Sequence, residues 1–213
     1  MLGFWNYTVY LTYIGLMSGF AGISLAFTGH PGWATICLLF CGFCDMFDGK
    51  IARTKKDRTV AEKQFGIQID SLSDAICFGV LPATIGICVS GECLVISIII
   101  GALFTVCGVV RLAYYNVTEE ERQSREKGAR IYFDGVPIPV SCGLVALFIL
   151  LAKYIDAVRD NLGVIFTIGL FILGIAYITP VKVRKADDKA NVIILIAGAL
   201  AGILIILKLC KVF

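Results

Sequence analysis

Residues Cys44 to Pro82 read CDMFDGKIARTKKDRTVAEKQFGIQIDSLSDAICFGVLP, and this stretch indicates the fold. Apolar sequence leads into it and continues out of it, and a short charged connection lies in the middle. Aspartates occupy both places where apolar sequence meets the connection. This pattern is typical of two membrane helices that present acidic side chains at one end.

The composition of the whole chain agrees with a membrane protein. Of 213 residues, 58% are hydrophobic and 16% are charged, and the mean hydropathy is +0.87. Soluble domains usually carry about 45–50% apolar and about 25% charged residues. The composition therefore excludes an ordinary soluble domain, a disordered chain and a disulfide-stapled secreted module. A net charge of +3 is too small to indicate a nucleic-acid partner.

A bilayer core requires about 20 mostly apolar residues for each helix. Sustained apolar runs favour helices over barrel strands, which would alternate with period two. We therefore predict an all-α polytopic membrane protein, with residues 1–213 forming a single integral membrane domain. Seven segments qualify as spans: Trp5 to Phe27, Trp33 to Arg53, Phe65 to Val89, Cys93 to Tyr115, Val136 to Ile155, Leu162 to Pro180 and Asn191 to Leu209.

The distribution of positive charge predicts the orientation. Most of the 19 lysines and arginines lie in or beside the connections after the second, fourth and sixth segments. Lys153, Arg159, Lys208 and Lys211 fall on the other side. Cytoplasmic loops are enriched in lysine and arginine. We expect a multi-pass plasma-membrane protein with a cytoplasmic N-terminus and the aspartates at the cytoplasmic face.

Nine cysteines are present, and most lie inside apolar runs, where cysteine behaves as a small hydrophobic residue. Cys41 and Cys44 form a CxxC pair. A structural zinc site needs about four ligands, yet the chain has no second pair and its one histidine, His30, is remote. The pair is therefore expected to be structural.

The four aspartates predict a metal centre. Asp45 and Asp48 are three residues apart, and Asp70 and Asp74 are four apart, so each pair shares one helical face. Like charges on one face repel each other, and divalent cations would remove the conflict. Oxygen ligands suit Mg2+ or Mn2+. We expect two such cations, which is a known arrangement for phosphoryl chemistry.

Small residues and a cation accompany these carboxylates. Gly49 and Ala52 are three residues apart, and Gly66 lies four before Asp70. They leave room for a flat or bulky group beside the helix backbones. Arg53 adds a planar fork of donors suited to phosphate oxygens.

The same residues resemble a family signature. Asp45, Asp48-Gly49, Ala52-Arg53, Gly66, Asp70 and Asp74 are similar to the motif DxxDGxxAR…GxxxDxxxD of the CDP-alcohol phosphotransferases. The resemblance implies a six-helix catalytic core, here about residues 6–180, usually as a homodimer. The segment at about 190–210 would be an additional C-terminal helix. It also implies displacement of CMP from a CDP-linked lipid or alcohol by a hydroxyl group.

The resemblance also implies roles for the matching residues. Asp45, Asp48 and Asp70 would bind metal, and Asp74 would be both a ligand and the base for the incoming hydroxyl. Gly49, Ala52 and Gly66 would face the cytidine, and Arg53 would contact phosphate. One departure concerns the connection between Arg53 and Gly66, whose twelve residues exceed the usual seven or eight. A longer cytoplasmic loop between two helices leaves the site intact.

A second similarity concerns the acceptor. The stretches RLAYYN at 111–116 and YFDGVPIP at 132–139 are similar to a RLARFN…YFxGLPIP pattern of phosphatidylserine synthases. This similarity implies CDP-diacylglycerol and L-serine as substrates. The serine carboxylate calls for an arginine and its ammonium for an acidic or carbonyl group, so Arg111, Arg130 and Asp134 are candidates.

Other functions stay open at this stage. The acceptor could be glycerol 3-phosphate or an inositol phosphate, with cations from the 122–130 loop. A membrane prenyltransferase also binds diphosphate through aspartates, but without the DGxxAR context. A cation transporter would place its carboxylates near the bilayer midplane, whereas these lie at helix ends beside lysine and arginine.

Overall fold

A computed structural model describes residues 3–125, 132–184 and 188–210. Helices make up most of these residues, and two short strands pair in the connections. The α-helices are α1 (Tyr7–Phe27), α2 (Pro31–Ala52), α3 (Val60–Asp74), α4 (Leu81–Cys88), α5 (Leu94–Arg125), α6 (Val140–Tyr154), α7 (Asp156–Asp160), α8 (Leu162–Ile178) and α9 (Asp188–Leu209), and the strands are β1 (Tyr132–Asp134) and β2 (Lys182–Arg184).

Each of the seven predicted segments is helical, which confirms the all-α membrane fold. The third predicted segment comprises α3, a π-helical stretch over Ala75–Val80 and α4, running as one rod. Two boundaries differ from the prediction by five residues or more. The rod begins at Val60 rather than Phe65, and α5 continues to Arg125, ten residues past Tyr115.

Local chemistry explains both differences. Thr59 and Glu62 form a capping box at the start of α3, which satisfies backbone N–H groups that would otherwise lack partners. Along α5, Arg122 Nη2 lies 2.6 Å from Glu119 Oε1, and ion pairs at this spacing stabilise a helix in polar surroundings.

Four helical spans of the described chain have the length and apolarity to cross a bilayer: Tyr7–Phe27, Val60–Cys88, Gly91–Arg122 and Ala190–Leu209. α6 and α8 are apolar but shorter. α2 has 22 residues, and Asp45 and Asp48 reduce its apolarity near one end. The carboxylates are thus carried by a helix that otherwise resembles its neighbours.

Glycines bring α1 against the helices that carry the aspartates. A β-carbon at Gly15 would lie 3.2 Å from Cys44 Cβ, and one at Gly19 would lie 2.7 Å from Cys77 Sγ. Gly15 and Gly19, which form a GxxxG motif, therefore face α2 and the π-helical stretch. Gly202, four residues after Gly198 in a second GxxxG motif, faces Leu39 of α2.

The two strands join distant connections. β1 precedes α6 and β2 precedes α9, and they pair antiparallel with Phe133 opposite Val183. Gly135 then turns the chain with a φ of 84°, and its N–H donates to the Val181 carbonyl at 2.8 Å. The connections after α5 and α8 therefore lie on the same side of the protein.

The cysteines are all free. Cys41 and Cys44 are buried, and the described residues that could together hold a metal ion are aspartates rather than thiols. The CxxC pair thus packs in the interior, as the sequence predicts.

Candidate active site

Carboxylates from two helices converge at one place in the bundle. One oxygen each from Asp45 on α2 and from Asp70 and Asp74 on α3 lie within 4.8 Å of one another. All three side chains are partly exposed. The four-residue spacing puts Asp70 and Asp74 on one face of α3, and that face is turned toward Asp45.

Asp48 is the fourth carboxylate and the most buried of the group, with 8% of its surface exposed. It is close enough to Asp45, Asp70 and Asp74 for their charges to interact. Its Oδ2 accepts a hydrogen bond of 3.2 Å from Thr12 Oγ1 on α1. This bond fixes the orientation of a carboxylate that points into the cluster.

A small cavity lies among these residues, and all four aspartates line it. The other lining residues belong to α1, α2 and the rod formed by α3, the π-helical stretch and α4. They have small, thiol or hydroxyl side chains, with one aromatic ring. They are Thr12, Gly15, Cys41, Cys44, Ser73, Cys77 and Phe78. The four carboxylates are thus the charged groups of a cavity whose other lining side chains are uncharged.

The donor set fits hard divalent cations. Three carboxylate oxygens within 4.8 Å of each other are close enough to ligate one ion, and Asp48 adds a fourth carboxylate beside them. Mg2+ and Mn2+ prefer such oxygen ligands. Four carboxylates at close range would repel each other strongly without a counter-charge, so the arrangement itself favours bound cations.

Two arginines cover the small residues of the signature. A β-carbon at Gly49 would lie 3.7 Å from Arg53 Nη1, and one at Gly66 would lie 2.6 Å from Arg58 Nη2. Arg58 Nη1 also donates to the Ala52 carbonyl at 3.4 Å. Arg53 therefore lies beside Gly49, and Arg58 lies beside Gly66. The sequence pattern did not indicate Arg58.

The residues predicted to bind the acceptor lie outside the group of four aspartates. Arg111 is buried in α5, 8% exposed, and its Nε would lie 3.9 Å from a β-carbon at Gly135. It is not among the described residues that line the carboxylate cavity. Asp134 ends β1, and its side chain lies outside the described part of the structure, as does all of Arg130.

Asn116, in the RLAYYN stretch, lies close to the carboxylate cluster. Its Nδ2 donates to Ser71 Oγ at 2.8 Å, one residue after Asp70. This contact ties α5 to α3 beside the two aspartates. Thr12, Arg58 and Asn116 are thus three polar contributors that the carboxylate spacing did not indicate.

Comparison with known proteins agrees with this geometry. The sequence profile of the CDP-alcohol phosphatidyltransferase family matches residues 5–203, which extends into α9. The chain belongs to this family, whose members are phosphotransferases.

Curated relatives give a narrower similarity. The chain is 33% identical to an archaetidylserine synthase of Methanothermobacter thermautotrophicus over 68% of this chain and 58% of that one. It is 32% identical to a CDP-diacylglycerol–serine O-phosphatidyltransferase of Saccharomyces cerevisiae, over 62% and 50%. A Helicobacter pylori enzyme of that name is 29% identical, over 83% and 69%. The chain thus spans about half to two thirds of the length of these relatives.

Proposed function

We propose that this protein transfers the phosphatidyl group of CDP-diacylglycerol to the hydroxyl of L-serine, giving phosphatidylserine and CMP. The observation that carries the proposal is the convergence of Asp45, Asp70 and Asp74 from two helices, within a family of phosphotransferases. The names of the relatives, which are serine transferases or an archaetidylserine synthase, support serine as the acceptor.

The nucleotide side of the site would be formed by the signature residues. The small residues Gly49, Ala52 and Gly66 would face the cytidine, and Arg53 would contact the diphosphate through its planar fork. Two divalent cations, Mg2+ or Mn2+, would be held by the carboxylates Asp45, Asp48, Asp70 and Asp74. Bound cations would supply positive charge that stabilises the transferring phosphoryl group.

Asp74 would act as the general base. CDP-diacylglycerol would lie with its acyl chains in the bilayer and its diphosphate at the carboxylate end of the bundle. Asp74 takes the proton of the serine hydroxyl, and the serine oxygen attacks the phosphorus bonded to diacylglycerol. The bond from that phosphorus to the bridging oxygen breaks, and CMP departs with the electron pair beside Arg53.

The acceptor pocket would use groups of both charges. Arg111 would bind the serine carboxylate, because a guanidinium pairs with a carboxylate through two parallel hydrogen bonds. Asp134 would accept from the serine ammonium. The burial of Arg111 and its closeness to the turn at Gly135, next to Asp134, support this pairing.

The protein would function as a homodimer in the plasma membrane, with its N-terminus and active site on the cytoplasmic side. Residues 1–213 would form one integral membrane domain, with the catalytic core at about 6–180 and an additional helix at about 190–210. The distribution of lysine and arginine supports the orientation, as does the pairing of β1 with β2 on one side.

Release of CMP by the purified protein tests the choice of acceptor. CDP-diacylglycerol and Mn2+ would be incubated with L-serine, glycerol 3-phosphate, myo-inositol, inositol phosphate or no acceptor. Release that requires L-serine and yields a new aminophospholipid is the expected result. Release with another acceptor alone would retain the family chemistry and reject the serine pocket, and a folded sample inactive with all acceptors would reject the proposed function.

A further inference from the structure

The connection between α2 and α3 is organised around the carboxylate of Glu62. Glu62 Oε1 lies 2.6 Å from Lys55 Nζ and accepts from Asn6 Nδ2 at 2.9 Å. Its Oε2 accepts from the Thr59 N–H at 2.8 Å. One side chain therefore joins the start of α1, the connection and the first turn of α3, and gives the lengthened connection a defined shape.

This shape holds Arg58 against the signature residues. Arg58 Nη2 donates to the Glu62 carbonyl at 3.1 Å, and Nη1 reaches the Ala52 carbonyl at 3.4 Å. The 2.6 Å between Nη2 and the β-carbon position of Gly66 is shorter than packed atoms allow. The guanidinium thus occupies the space that the missing side chain of Gly66 leaves open.

The charge of Arg58 is incompletely matched in this position. Both of its hydrogen-bond acceptors are neutral backbone carbonyls. Its buried Nε has no hydrogen-bond partner among the described residues, and no ion pair of Arg58 is found within ranges 3–125, 132–184 and 188–210. A buried guanidinium nitrogen without an acceptor is unfavourable, and a diphosphate offers acceptors of opposite charge.

We propose that Arg58 is a second diphosphate-binding residue, which covers the space at Gly66 until the nucleotide arrives and then pairs with its phosphates. The inference rests on the proposed function, because it takes the ligand to be a cytidine diphosphate. A guanidinium at the end of a flexible side chain can vacate this space without moving either helix. The result is a nucleotide site with two arginines, Arg53 next to Gly49 and Arg58 next to Gly66.

Inhibition by nucleotides separates a phosphate contact from a structural role. CDP and cytidine would be compared as inhibitors of CMP release by the full-length protein, together with the KM for CDP-diacylglycerol. Arg58→Gln keeps hydrogen-bond donors and removes the charge. We expect it to weaken CDP binding and raise the KM for CDP-diacylglycerol by roughly tenfold, since charged hydrogen bonds are strong. Cytidine binding and the KM for L-serine should stay within about twofold.

Two further variants distinguish the loss of a phosphate contact from a folding defect. Arg58→Lys restores the charge without the planar fork and should recover part of the affinity for CDP. Lys56→Ala removes an exposed cation from the same connection and should leave CDP binding unchanged. If Lys56→Ala weakens CDP binding as much as Arg58→Gln does, the loss reflects the net charge of the connection and not a specific contact of Arg58. That result would overturn the proposal.

The remaining outcomes also decide between the hypotheses. If Arg58→Gln lowers the affinity for CDP and for cytidine equally, a phosphate contact is rejected. Unchanged affinity for both would also reject it. A wild-type protein that neither binds CDP nor releases CMP would reject the proposed function and this inference together. A wild-type protein that binds CDP, with Arg58→Gln unaffected, would reject the role of Arg58 alone.

Discussion

Asp74 and Thr12 contribute to the carboxylate cluster in different ways. Asp74 supplies one of the three converging carboxylates, whereas Thr12 donates to the buried carboxylate of Asp48. The aspartates could be predicted from their spacing, because i, i+3 and i, i+4 residues share a face. Thr12, Arg58 and Asn116 could not, because each contacts the site through a partner that only the tertiary fold brings near. A hydroxyl in the apolar sequence of α1 was the one available signal for Thr12.

Replacing Asp74 with asparagine tests the proposed base. The amide has nearly the same shape but cannot accept the serine proton, so CMP release should fall by about 10²- to 10⁴-fold while the thermal stability changes little. Asp57→Asn, an exposed carboxylate in the connection before α3, is the matched control. Turnover of the Asp74 variant within a few fold of wild type would refute its role as base.

Replacing Thr12 with valine tests the support of Asp48. Valine keeps the shape and loses the hydroxyl that donates to Asp48 Oδ2. Partners of metal ligands typically change metal affinity by about 10–100-fold, so the Mn2+ concentration for half-maximal activity should rise by about tenfold. Ser24→Ala, whose hydroxyl donates to the Phe20 carbonyl on the exposed side of α1, should not alter it. An unchanged Mn2+ requirement in Thr12→Val would argue against the contact.

Apolarity predicts where each helix lies, whereas polar contacts determine where the helices begin and end. The Thr59-x-x-Glu62 pattern is a recognisable helix start, and it places the beginning of α3 five residues before the apolar run. The end of α5 lies in charged sequence, where apolarity gives no information and ion pairs such as Glu119–Arg122 stabilise the helix. The lengthened connection between α2 and α3 is thus folded around Glu62.

The environment of Glu62 predicts a pH effect on this connection. The hydrogen bond from Lys55, followed by that from the Thr59 N–H, lowers the pKa of Glu62 from 4.5 to about 2. A carboxylate with a depressed pKa in the folded state stabilises the fold above its unfolded value. The stabilisation should therefore be complete above about pH 4.5 and be lost as the pH falls toward about 2.

Hydrogen exchange of residues 55–62, corrected for the intrinsic rate at each pH, measures this effect. Protection should fall as the pH is lowered from about 4.5 toward about 2 in the wild type, and Glu62→Gln should show low protection at every pH, because the amide cannot replace the ion pair. Glu92→Gln, at an exposed carboxylate in the turn before α5, is the control. Protection in Glu62→Gln equal to that of the wild type at neutral pH would contradict the role of Glu62.

For the whole molecule, the seven helical segments were predictable from hydropathy. β1 and β2 pair although 47 residues separate Asp134 from Lys182 by chain position, and this pairing unites two of the lysine- and arginine-rich connections. The packing of the last helix was not predictable, because its apolar sequence has no distinctive face. In the fold Leu209 lies against Gly32, and Ile205 is fully buried.

Labelling of single cysteines in sealed vesicles tests the orientation. With Cys88 and Cys210, the exposed native thiols, replaced by serine, Lys56→Cys should react with an impermeant reagent only from the cytoplasmic side. Arg159→Cys, in α7 at the opposite end of the bundle, should react only from the outside. Positive-inside placement predicts this result, and the reverse pattern would overturn the orientation.

We propose that the four aspartates form a metal-dependent phosphatidyltransferase site, so CMP release should depend on free Mn2+. The wild type should be inactive in chelator, and added Mn2+ should restore its activity with CDP-diacylglycerol and L-serine. Asp70→Asn, which removes one ligand from the three-carboxylate group, should not be restored at the same concentration. CMP release by the wild type that persists at full rate in chelator would contradict a metal-dependent site.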